Sequence, residues 1–353
     1  MTATDRVVHV ARMEKFMPAF ISLVGRHYGG AQHEFVLFGD HRRYVTSEHP
    51  GVKLYKVQST AWSKLKARIH LVIAMHRADK IVLHGLFVRS VTKLLWLMPW
   101  LLKKTYWVMW GDDLYRYKAL SGRARYSFKE MVRRRVIRRI GHLITHIPGD
   151  VELARQWYGA AGRFHYCLMY PSNVYQEMAT DQYRPSEPIA IQLGNSADPG
   201  NHHLEILERL ATFTEQSFCV YVPLSYGSTS HAQKVIEVGS RLLGDKFKPL
   251  TEFMPIDEYR TFLARIDIAI FNHRRQQAMG NTISLLGLGK KVYLRRDVTP
   301  WSVFENLGVE VYDVGQLSLS LPEREVVERN RAIIREAYSE QQLISQLNAV
   351  FGE

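Results

Sequence analysis

A polar loop at residues 272–281 carries side chains that could bind an anion. It follows a short apolar run, Ile268–Phe271, that is typical of a buried strand, and it precedes apolar residues at helical spacing over residues 282–288. Loops at the carboxyl ends of strands bind ligands in open α/β sheets. Cationic and amide side chains beside a helix N-terminus predict a phosphate or diphosphate site, and a surface loop with solvated arginines is the alternative. The predicted members are Arg275, Gln276, Gln277, Gly280, Asn281 and Thr282.

Two other predicted strands in the C-terminal half also end in glycine and polar residues. Because the carboxyl ends of parallel strands meet at one edge of a sheet, we expect these loops to converge with the loop just described. A nucleoside diphosphate would need hydrogen-bond donors for its phosphates there and an apolar slot for its base. No G-x-G-x-x-G pattern is present, which argues against a nicotinamide enzyme. The residues concerned are Gly194, Asn195 and Ser196 in one loop and Tyr226 and Gly227 in the other.

Imidazole and carboxylate side chains follow two predicted strands of the N-terminal half. His84 follows one, and Asp112 and Asp113 follow the other. A carboxylate that faces a hydroxyl group could act as a general base, and Asp113 is the first candidate and His84 the second. The alternative is that Asp113 caps a helix or pairs with an arginine. Adjacent aspartates on an extended chain point to opposite sides, and no other spacing predicts a metal site.

Positive charge is concentrated in the first half of the chain. The formal net charge of the 353 residues is +13; residues 1–183 hold 29 Lys and Arg against 13 Asp and Glu, whereas residues 184–353 hold 18 against 21. A basic domain indicates a polyanionic partner, either anionic lipid or nucleic acid. The two cysteines provide no disulfide framework, no signal peptide is recognisable, and no apolar run approaches the roughly 20 residues of a membrane span. We therefore expect a cytoplasmic protein.

The most basic segment covers residues 123–140 and has apolar residues at a spacing of four. A basic amphipathic helix is typical of a membrane surface or of a diphosphate-bearing partner. The alternative is a surface helix with solvated arginines, but eight cations within residues 123–139 favour a function. The residues predicted to contact a membrane or an acceptor are Arg123, Arg125, Lys129, Arg133, Arg134 and Arg138.

Alternation of apolar strands and helices predicts the elements that position these side chains. The expected fold class is α/β, with two Rossmann-like, doubly wound parallel sheets. The N-terminal set includes a predicted helix over residues 88–102, and a polar segment with two prolines predicts a linker. We predict a first domain over residues 1–183, a linker over 184–188, a second domain over 189–330, and C-terminal helices over 331–353 that pack back on the first domain.

Several short motifs, in order over most of the chain, resemble the bacterial TDP-N-acetylfucosamine:lipid II N-acetylfucosaminyltransferases, the 4-α-L-fucosyltransferase family, glycosyltransferase family 56. Each motif is short, but as a set they are fairly specific. They are His84-Gly85, Trp110-Gly111-x-Asp113-Leu114-Tyr115, Gly149-Asp150, Gly194-Asn195-Ser196-x-Asp198 with Asn201 and His203, Val222-Pro223 with Tyr226, Asp257-x-Tyr259, and Arg275-Gln276-Gln277 with Gly280.

The resemblance implies a GT-B type enzyme whose first domain binds the acceptor and whose second domain binds the nucleotide sugar, with catalysis in the cleft between them and no metal. It implies a TDP-linked 4-acetamido-4,6-dideoxy-galactose donor and an undecaprenyl-diphosphate-linked saccharide acceptor, as in enterobacterial common antigen synthesis. An enzyme with this acceptor would lie peripherally on the inner face of the bacterial inner membrane. The turn at Arg12–Lys15 departs from the family pattern, so another surface polysaccharide is an alternative.

Two other hypotheses remain open from the sequence. A nucleic-acid-binding protein would use the basic helix, but no recognition motif is visible and aromatic residues are not interleaved with the arginines. Another nucleotide-sugar enzyme would act on a soluble acceptor. The sequence does not distinguish inverting from retaining transfer, and a retaining reaction would need no general base.

Overall fold

The computed structural model describes residues 5–28, 32–39, 44, 46, 49, 52–57, 60–120, 127–177, 187–213 and 215–352. The chain forms two compact units: Met1–Asn173 with Glu340–Glu353, and Val174–Ser339. Residues 184–186 of the predicted linker lie outside the described residues, so the predicted division at 184–188 remains a prediction.

In the described residues, the first unit contains one seven-stranded parallel sheet. Its strands are β1 (Arg6–Arg12), β2 (Gln32–Phe38), β3 (Val52–Val57), β4 (Lys80–His84), β5 (Thr105–Val108), β6 (His142–Thr145) and β7 (Arg163–Tyr166). They lie in the order β3-β2-β1-β4-β5-β6-β7, so the chain winds outwards in both directions from β1. The inner strands β1, β4 and β5 are buried along most of their length because helices cover both faces of a parallel sheet.

Helices of the first unit pack on the two faces of this sheet. They are α1 (Met17–His27), α2 (Ala61–Arg77), α3 (Arg89–Leu97), α4 (Asp112–Ala119), α5 (Phe128–Arg139), α6 (Pro148–Tyr158) and, from the end of the chain, α13 (Glu340–Phe351). One core contains the fully buried Trp107 of β5 and apolar side chains of α2, α3, α5 and α6. The last helix, α13, is fastened to α1 where Tyr28 Oη donates to Asn348 Oδ1 over 2.5 Å.

The second unit repeats the architecture with a six-stranded parallel sheet in its described residues. Its strands are β8 (Ile189–Leu193), β9 (Phe218–Pro223), β10 (Phe247–Leu250), β11 (Ile268–Phe271), β12 (Lys291–Leu294) and β13 (Tyr312–Asp313). Their order is β10-β9-β8-β11-β12-β13. Its helices are α7 (His203–Leu210), α8 (Thr229–Leu243), α9 (Ile256–Arg265), α10 (Met279–Gly287), α11 (Thr299–Leu307) and α12 (Arg324–Ala337). Both predicted doubly wound sheets are therefore present.

Differences from the predicted elements have local causes. The helix predicted over residues 88–102 ends at Leu97, and a 3₁₀ turn follows at Pro99–Lys104, because proline cannot continue an α-helical hydrogen-bond ladder. The helix predicted from Thr282 begins earlier, at Met279. The short edge strand β7 was not predicted, because its exposed and half-buried residues give no apolar run.

Candidate active site

Three loops of the second unit, those after β8, β9 and β11, meet at the carboxyl edge of its sheet. Asn195 connects them: its Oδ1 accepts a hydrogen bond from Nε2 of Gln277 (3.2 Å), and its Nδ2 donates to Oη of Tyr226 (3.4 Å). Ala197 and Gly227 also pair as an isolated parallel bridge. A Cβ at Gly227 would lie 2.7 Å from the carbonyl carbon of Ala197, so the close approach requires glycine. The sequence predicted this convergence.

Asn201, which is fully buried, holds these loops together through hydrogen bonds. Its Oδ1 accepts from the amide of Asn195 (2.9 Å) and from Nε2 of His273 (2.8 Å). Burial lowers the pKa of His273 to about 3, so this imidazole is neutral at pH 7. A Cβ at Gly194 would lie 2.6 Å from Asn201 Oδ1 and 2.7 Å from His203 Nε2. Gly194 thus belongs to the site for steric reasons.

The first turn of α10 presents backbone N–H groups at this edge. Ala278, with a left-handed φ of 57°, precedes the helix without a side-chain cap. The amide of Thr282 donates to the Ala278 carbonyl (2.9 Å), as does its hydroxyl (3.1 Å), which contradicts the predicted anion-binding role of the Thr282 amide. Since the first amides of a helix lack intrahelical acceptors, those of Met279, Gly280 and Asn281 face outwards instead.

Charged and amide side chains surround this helix N-terminus. Arg275 Nη2 lies 3.5 Å from Oδ2 of Asp198, whose Oδ1 accepts from the Gly200 amide (2.6 Å). In the described residues, the buried Oε1 atoms of Gln276 and Gln277 have no hydrogen-bond partner. A cation, helix amides and unsatisfied amide groups in one place can bind a polar, anionic ligand.

Ser196 lies deeper than predicted. It is 3% exposed, and its Oγ accepts from the amide of Asp198 and from Nδ2 of Asn201, both at 3.4 Å. The hydroxyl therefore shapes the loop after β8, and this contradicts the prediction that Ser196 contacts the ligand.

Asp113, at the carboxyl edge of the first unit's sheet, accepts hydrogen bonds through both of its carboxylate oxygens. Its Oδ2 accepts from the amide of Leu86 (3.0 Å) and from Nε1 of Trp107 (2.6 Å), and its Oδ1 accepts from the amides of Trp110 and Leu114, both at 3.0 Å. Burial raises the pKa of Asp113, and these hydrogen bonds oppose the shift. A 3% exposed carboxylate with four donors is a positioning group, which contradicts its predicted role as an accessible base.

His84 belongs to a buried chain of aromatic hydrogen-bonding groups. Its Nδ1 lies 2.6 Å from Tyr170 Oη and its Nε2 lies 3.0 Å from His9 Nδ1, while His9 Nε2 lies 2.9 Å from His33 Nδ1. At the other end, Trp110 Nε1 donates to Tyr170 Oη over 2.8 Å. Burial lowers the pKa of His84 to about 3. Both ring nitrogens are occupied, so the geometry does not support His84 as a base either.

The basic helix α5 divides into an inward and an outward face. Arg133, 6% exposed, donates to Glu130 Oε1 (3.2 Å), Tyr158 Oη (2.9 Å) and the Asp113 carbonyl. Arg134 lies 3.3 Å from Glu130 and its guanidinium packs over the ring of Tyr158. These two arginines stabilise the first unit internally, which contradicts their predicted place on a membrane surface.

The remaining described cations of α5 point to solvent. Lys129 and Arg138 are exposed, together with Arg135 and Arg139, and the predicted contact of Lys129 and Arg138 with a membrane or an acceptor remains a prediction. Arg123 and Arg125 lie outside the described residues. A cavity of about 600 Å³ opens between α3 and α5. Its lining includes Trp96, Leu102, Arg135, Arg138 and Arg139.

The family model of the 4-alpha-L-fucosyltransferases, glycosyl transferase group 56, matches residues 22–334. The chain belongs to this family. The resemblance predicted from the short motifs is thereby confirmed, and the chain is a nucleotide-sugar-dependent glycosyltransferase.

Solved glycosyltransferase structures share the fold of this family member. HepE of Anabaena, in complex with UDP-glucose, has 14% identity and a TM-score of 0.63, covering 98% of this chain and 100% of its own. A glycosyltransferase from Rickettsia africae has 11% identity and a TM-score of 0.66, covering 99% and 98%. WaaG, a glycosyltransferase involved in lipopolysaccharide biosynthesis, has 10% identity and a TM-score of 0.59, covering 98% and 98%. The predicted GT-B fold class is confirmed.

The predicted site of the group 56 chain omitted several residues that the structure places there. Asn201 and His273 hold the loops after β8 and β11; in the sequence, Asn201 stood only in a family motif and His273 only within the polar loop at residues 272–281. Tyr259 is a third: its Oη accepts from Nδ2 of Asn281 (2.9 Å) and lies 3.4 Å from Nε2 of Gln192. Tyr259 was named in the motif Asp257-x-Tyr259, but the motif did not predict its contact with Asn281.

Proposed function

We propose that this glycosyltransferase moves a 4-acetamido-4,6-dideoxy-galactose type sugar from a TDP-linked donor to an undecaprenyl-diphosphate-linked saccharide, in synthesis of a surface polysaccharide such as enterobacterial common antigen. The observation that carries the donor half is the contact of Asn195 with both Gln277 and Tyr226, at the edge of the sheet where α10 begins. The acceptor half rests on family membership and on the charge of the first unit.

The second unit is the donor side of this proposal. The N–H groups of Met279, Gly280 and Asn281 and the guanidinium of Arg275 would hold the diphosphate. Negative charge grows on that diphosphate as the glycosidic bond to the nucleotide breaks, so a fixed cation and fixed amides would stabilise the transition state more than the ground state. Gln276 and Gln277 would then orient the sugar, whose hydroxyl and amide N–H groups can donate to their unsatisfied carbonyl oxygens, or a phosphate through their side-chain NH₂ groups.

Metal independence is part of the same proposal. Within the described ranges, no group of three or more His, Cys, Asp or Glu is arranged to hold a metal ion. We expect Arg275 and the helix amides to supply the positive charge that neutralises the diphosphate. Transfer that continues at the same rate with excess EDTA would support this, and transfer restored only by added Mg²⁺ or Mn²⁺ would contradict it.

The first unit is the acceptor side, docked peripherally on an anionic membrane. None of the described helices is long and apolar enough to cross a bilayer. Exposed apolar side chains lie on α2, α3, α5 and the 3₁₀ turn at Pro99–Lys104. Trp100 Nε1 bonds to His76 (3.2 Å), and Trp96 packs edge-on against Phe128 (5.7 Å). The exposed apolar residues are Trp62, Leu65, Ile69, Ile73, Leu97, Trp100, Phe128 and Met131. With the outward cations of α5, this surface has the composition of an interfacial face.

Titration of the protein with nucleoside diphosphates tests the proposal. We expect TDP to bind with a lower Kd than UDP or GDP, and transfer of sugar from the TDP donor to a short-chain polyprenyl-diphosphate saccharide. A second candidate is the same reaction with another nucleotide sugar, which the likeness to HepE in complex with UDP-glucose favours. Preference for UDP over TDP would select that candidate, and binding of none of the three would reject both.

A further inference from the structure

Three aromatic side chains lie together at the carboxyl edge of the first unit's sheet. Phe16 follows β1, Phe87 follows β4 and Trp110 follows β5, and these strands are neighbours in the sheet. The ring centroid of Trp110 lies 4.6 Å from that of Phe16 and 5.1 Å from that of Phe87. All three side chains are only half-buried. We call this group the aromatic platform.

Trp110 is held at both ends by buried groups that the proposed chemistry does not use. Its main-chain N–H donates to Oδ1 of Asp113 (3.0 Å), and its indole Nε1 donates to Tyr170 Oη (2.8 Å). Tyr170 is in turn bonded to His84 (2.6 Å), from which the histidine chain continues into the core. Burying polar groups costs free energy unless each has a hydrogen-bond partner. Together, these buried groups fix the orientation of one partly exposed indole ring.

Backbone geometry fixes the second ring of the platform. Gly85 has a φ of +76°, and a Cβ there would lie 2.3 Å from Cε2 of Phe87, so the phenyl ring packs directly over the glycine. Gly111, with a φ of +83°, turns the chain immediately after Trp110. Two glycines, Gly85 and Gly111, and two buried hydrogen-bond acceptors, on Asp113 and Tyr170, therefore fix the positions of the platform's rings.

We propose that the aromatic platform is the subsite for a sugar ring of the acceptor, with Trp110 as its stacking wall. The C–H groups on one face of a pyranose are apolar and pack against aromatic rings, while its hydroxyl groups stay hydrated or bond to polar neighbours. His146, 5% exposed, lies at the same edge after β6, and its Nε2 has no partner among the described residues. The rings of the platform are uncharged and apolar, which suits the saccharide of the acceptor and not its diphosphate.

This inference rests on the proposed function, and the experiment separates the two. Initial rates are measured with a short-chain lipid-diphosphate saccharide for wild type, Trp110→Leu, Trp110→Phe and Phe87→Leu, with Trp157→Phe on α6 as the matched control. We expect Trp110→Leu to raise the KM for acceptor about tenfold or more, with donor KM unchanged, and Trp110→Phe to recover most of that loss. Trp157→Phe should keep the wild-type KM.

A second readout uses the conservative variants, so the proposal can still be tested if Trp110→Leu does not fold. Binding of the acceptor saccharide to the wild type should change tryptophan fluorescence, and the change should be absent in Trp110→Phe and present in Trp157→Phe. Unchanged acceptor KM in folded Trp110→Leu, or a fluorescence change at Trp110 caused by TDP instead of saccharide, would overturn the platform while leaving glycosyl transfer intact. A wild type that transfers to no lipid-diphosphate saccharide would instead reject the proposed function.

Discussion

The indole Nε1 of Trp107 donates a 2.6 Å hydrogen bond to Oδ2 of Asp113 within the core of the first unit. Trp107 is fully buried, and the carboxylate it contacts also accepts the main-chain amides of Leu86, Trp110 and Leu114. One acidic side chain thereby joins the loop after β4, the loop after β5 and the first turn of α4. The position of Asp113 after a strand predicted a general base. Its contacts instead show that this carboxylate holds the two loops and the helix together.

Asp113→Asn should destabilise the protein. An amide would place its NH₂ group against N–H donors, leaving at least two of them unsatisfied, so we expect the free energy of unfolding to fall by about 2–4 kcal/mol. Urea denaturation measures the loss. The matched control is Asp112→Asn, because Asp112 is exposed at the same turn. Equal stability of the two variants would show that the four contacts of Asp113 do not hold the loops.

Asp112 is the exposed carboxylate of this turn, so Asp112→Asn should separate chemistry from folding. If transfer inverts and uses this group as its base, kcat falls about a hundredfold or more while acceptor KM and the melting temperature stay near wild type. Product stereochemistry by NMR is measured in parallel. A wild-type kcat in Asp112→Asn together with inversion would exclude this aspartate as the base.

Acid should destabilise the first unit through its buried histidines. Burial lowers the pKa of His33 to about 4 and that of His84 to about 3, and Lys80 adds to the shift of His33. The folded state therefore holds these rings neutral, while the unfolded chain takes up protons below its pKa of about 6.5. Their contribution to stability is complete above that pH and is lost as pH falls, by about 1.4 kcal/mol per pH unit for each histidine until the folded pKa is reached.

The variant His33→Phe tests this dependence. The slope of unfolding free energy against pH between about 6 and 4 should decrease by about one proton relative to wild type. The matched control is His27→Gln, at the exposed end of α1. A slope unaffected by His33→Phe would contradict the account of a neutral histidine chain.

Membrane docking should depend on the outward face of α5 and not on its inward arginines. The double variant Arg138→Gln, Arg139→Gln should float less with phosphatidylglycerol vesicles, and the loss should be largest at low salt because screening weakens the wild-type attraction. Arg155→Gln, an exposed arginine of α6, is the control. Arg133→Gln should instead lower the melting temperature, since this side chain bonds Tyr158 and Glu130.

Substitutions on α2 test whether the exposed apolar side chains of the first unit also contribute to membrane docking. Ile69 and Ile73 are 56% and 45% exposed, so Ile69→Ser with Ile73→Ser should leave the melting temperature unchanged. Vesicle partition should fall about tenfold or more if the two side chains enter the bilayer interface. Undiminished flotation of this variant would exclude α2 from the docking surface.

Sequence patterns predicted the fold more completely than the site. Apolar strands such as Ile268–Phe271 were recognisable as continuous apolar runs in the sequence, because a doubly wound sheet buries both faces of its strands. The convergence around Asn195 followed from topology alone. The burial of Arg133 and of Ser196 could not be predicted, because it depends on partners such as Tyr158 and Asn201 that lie far away in sequence.

Isothermal titration of TDP tests the central claim, that the loops around Asn195 and the N-terminus of α10 bind the nucleotide diphosphate. Arg275→Ala should weaken binding about tenfold to a hundredfold, and Asn195→Ala by a similar amount, because each removes a group that contacts or orders the anion site. Arg274→Ala, whose exposed guanidinium lies 3.7 Å from Glu205, is the matched control and should bind as wild type does. Wild-type affinity for TDP in both Arg275→Ala and Asn195→Ala would contradict the account.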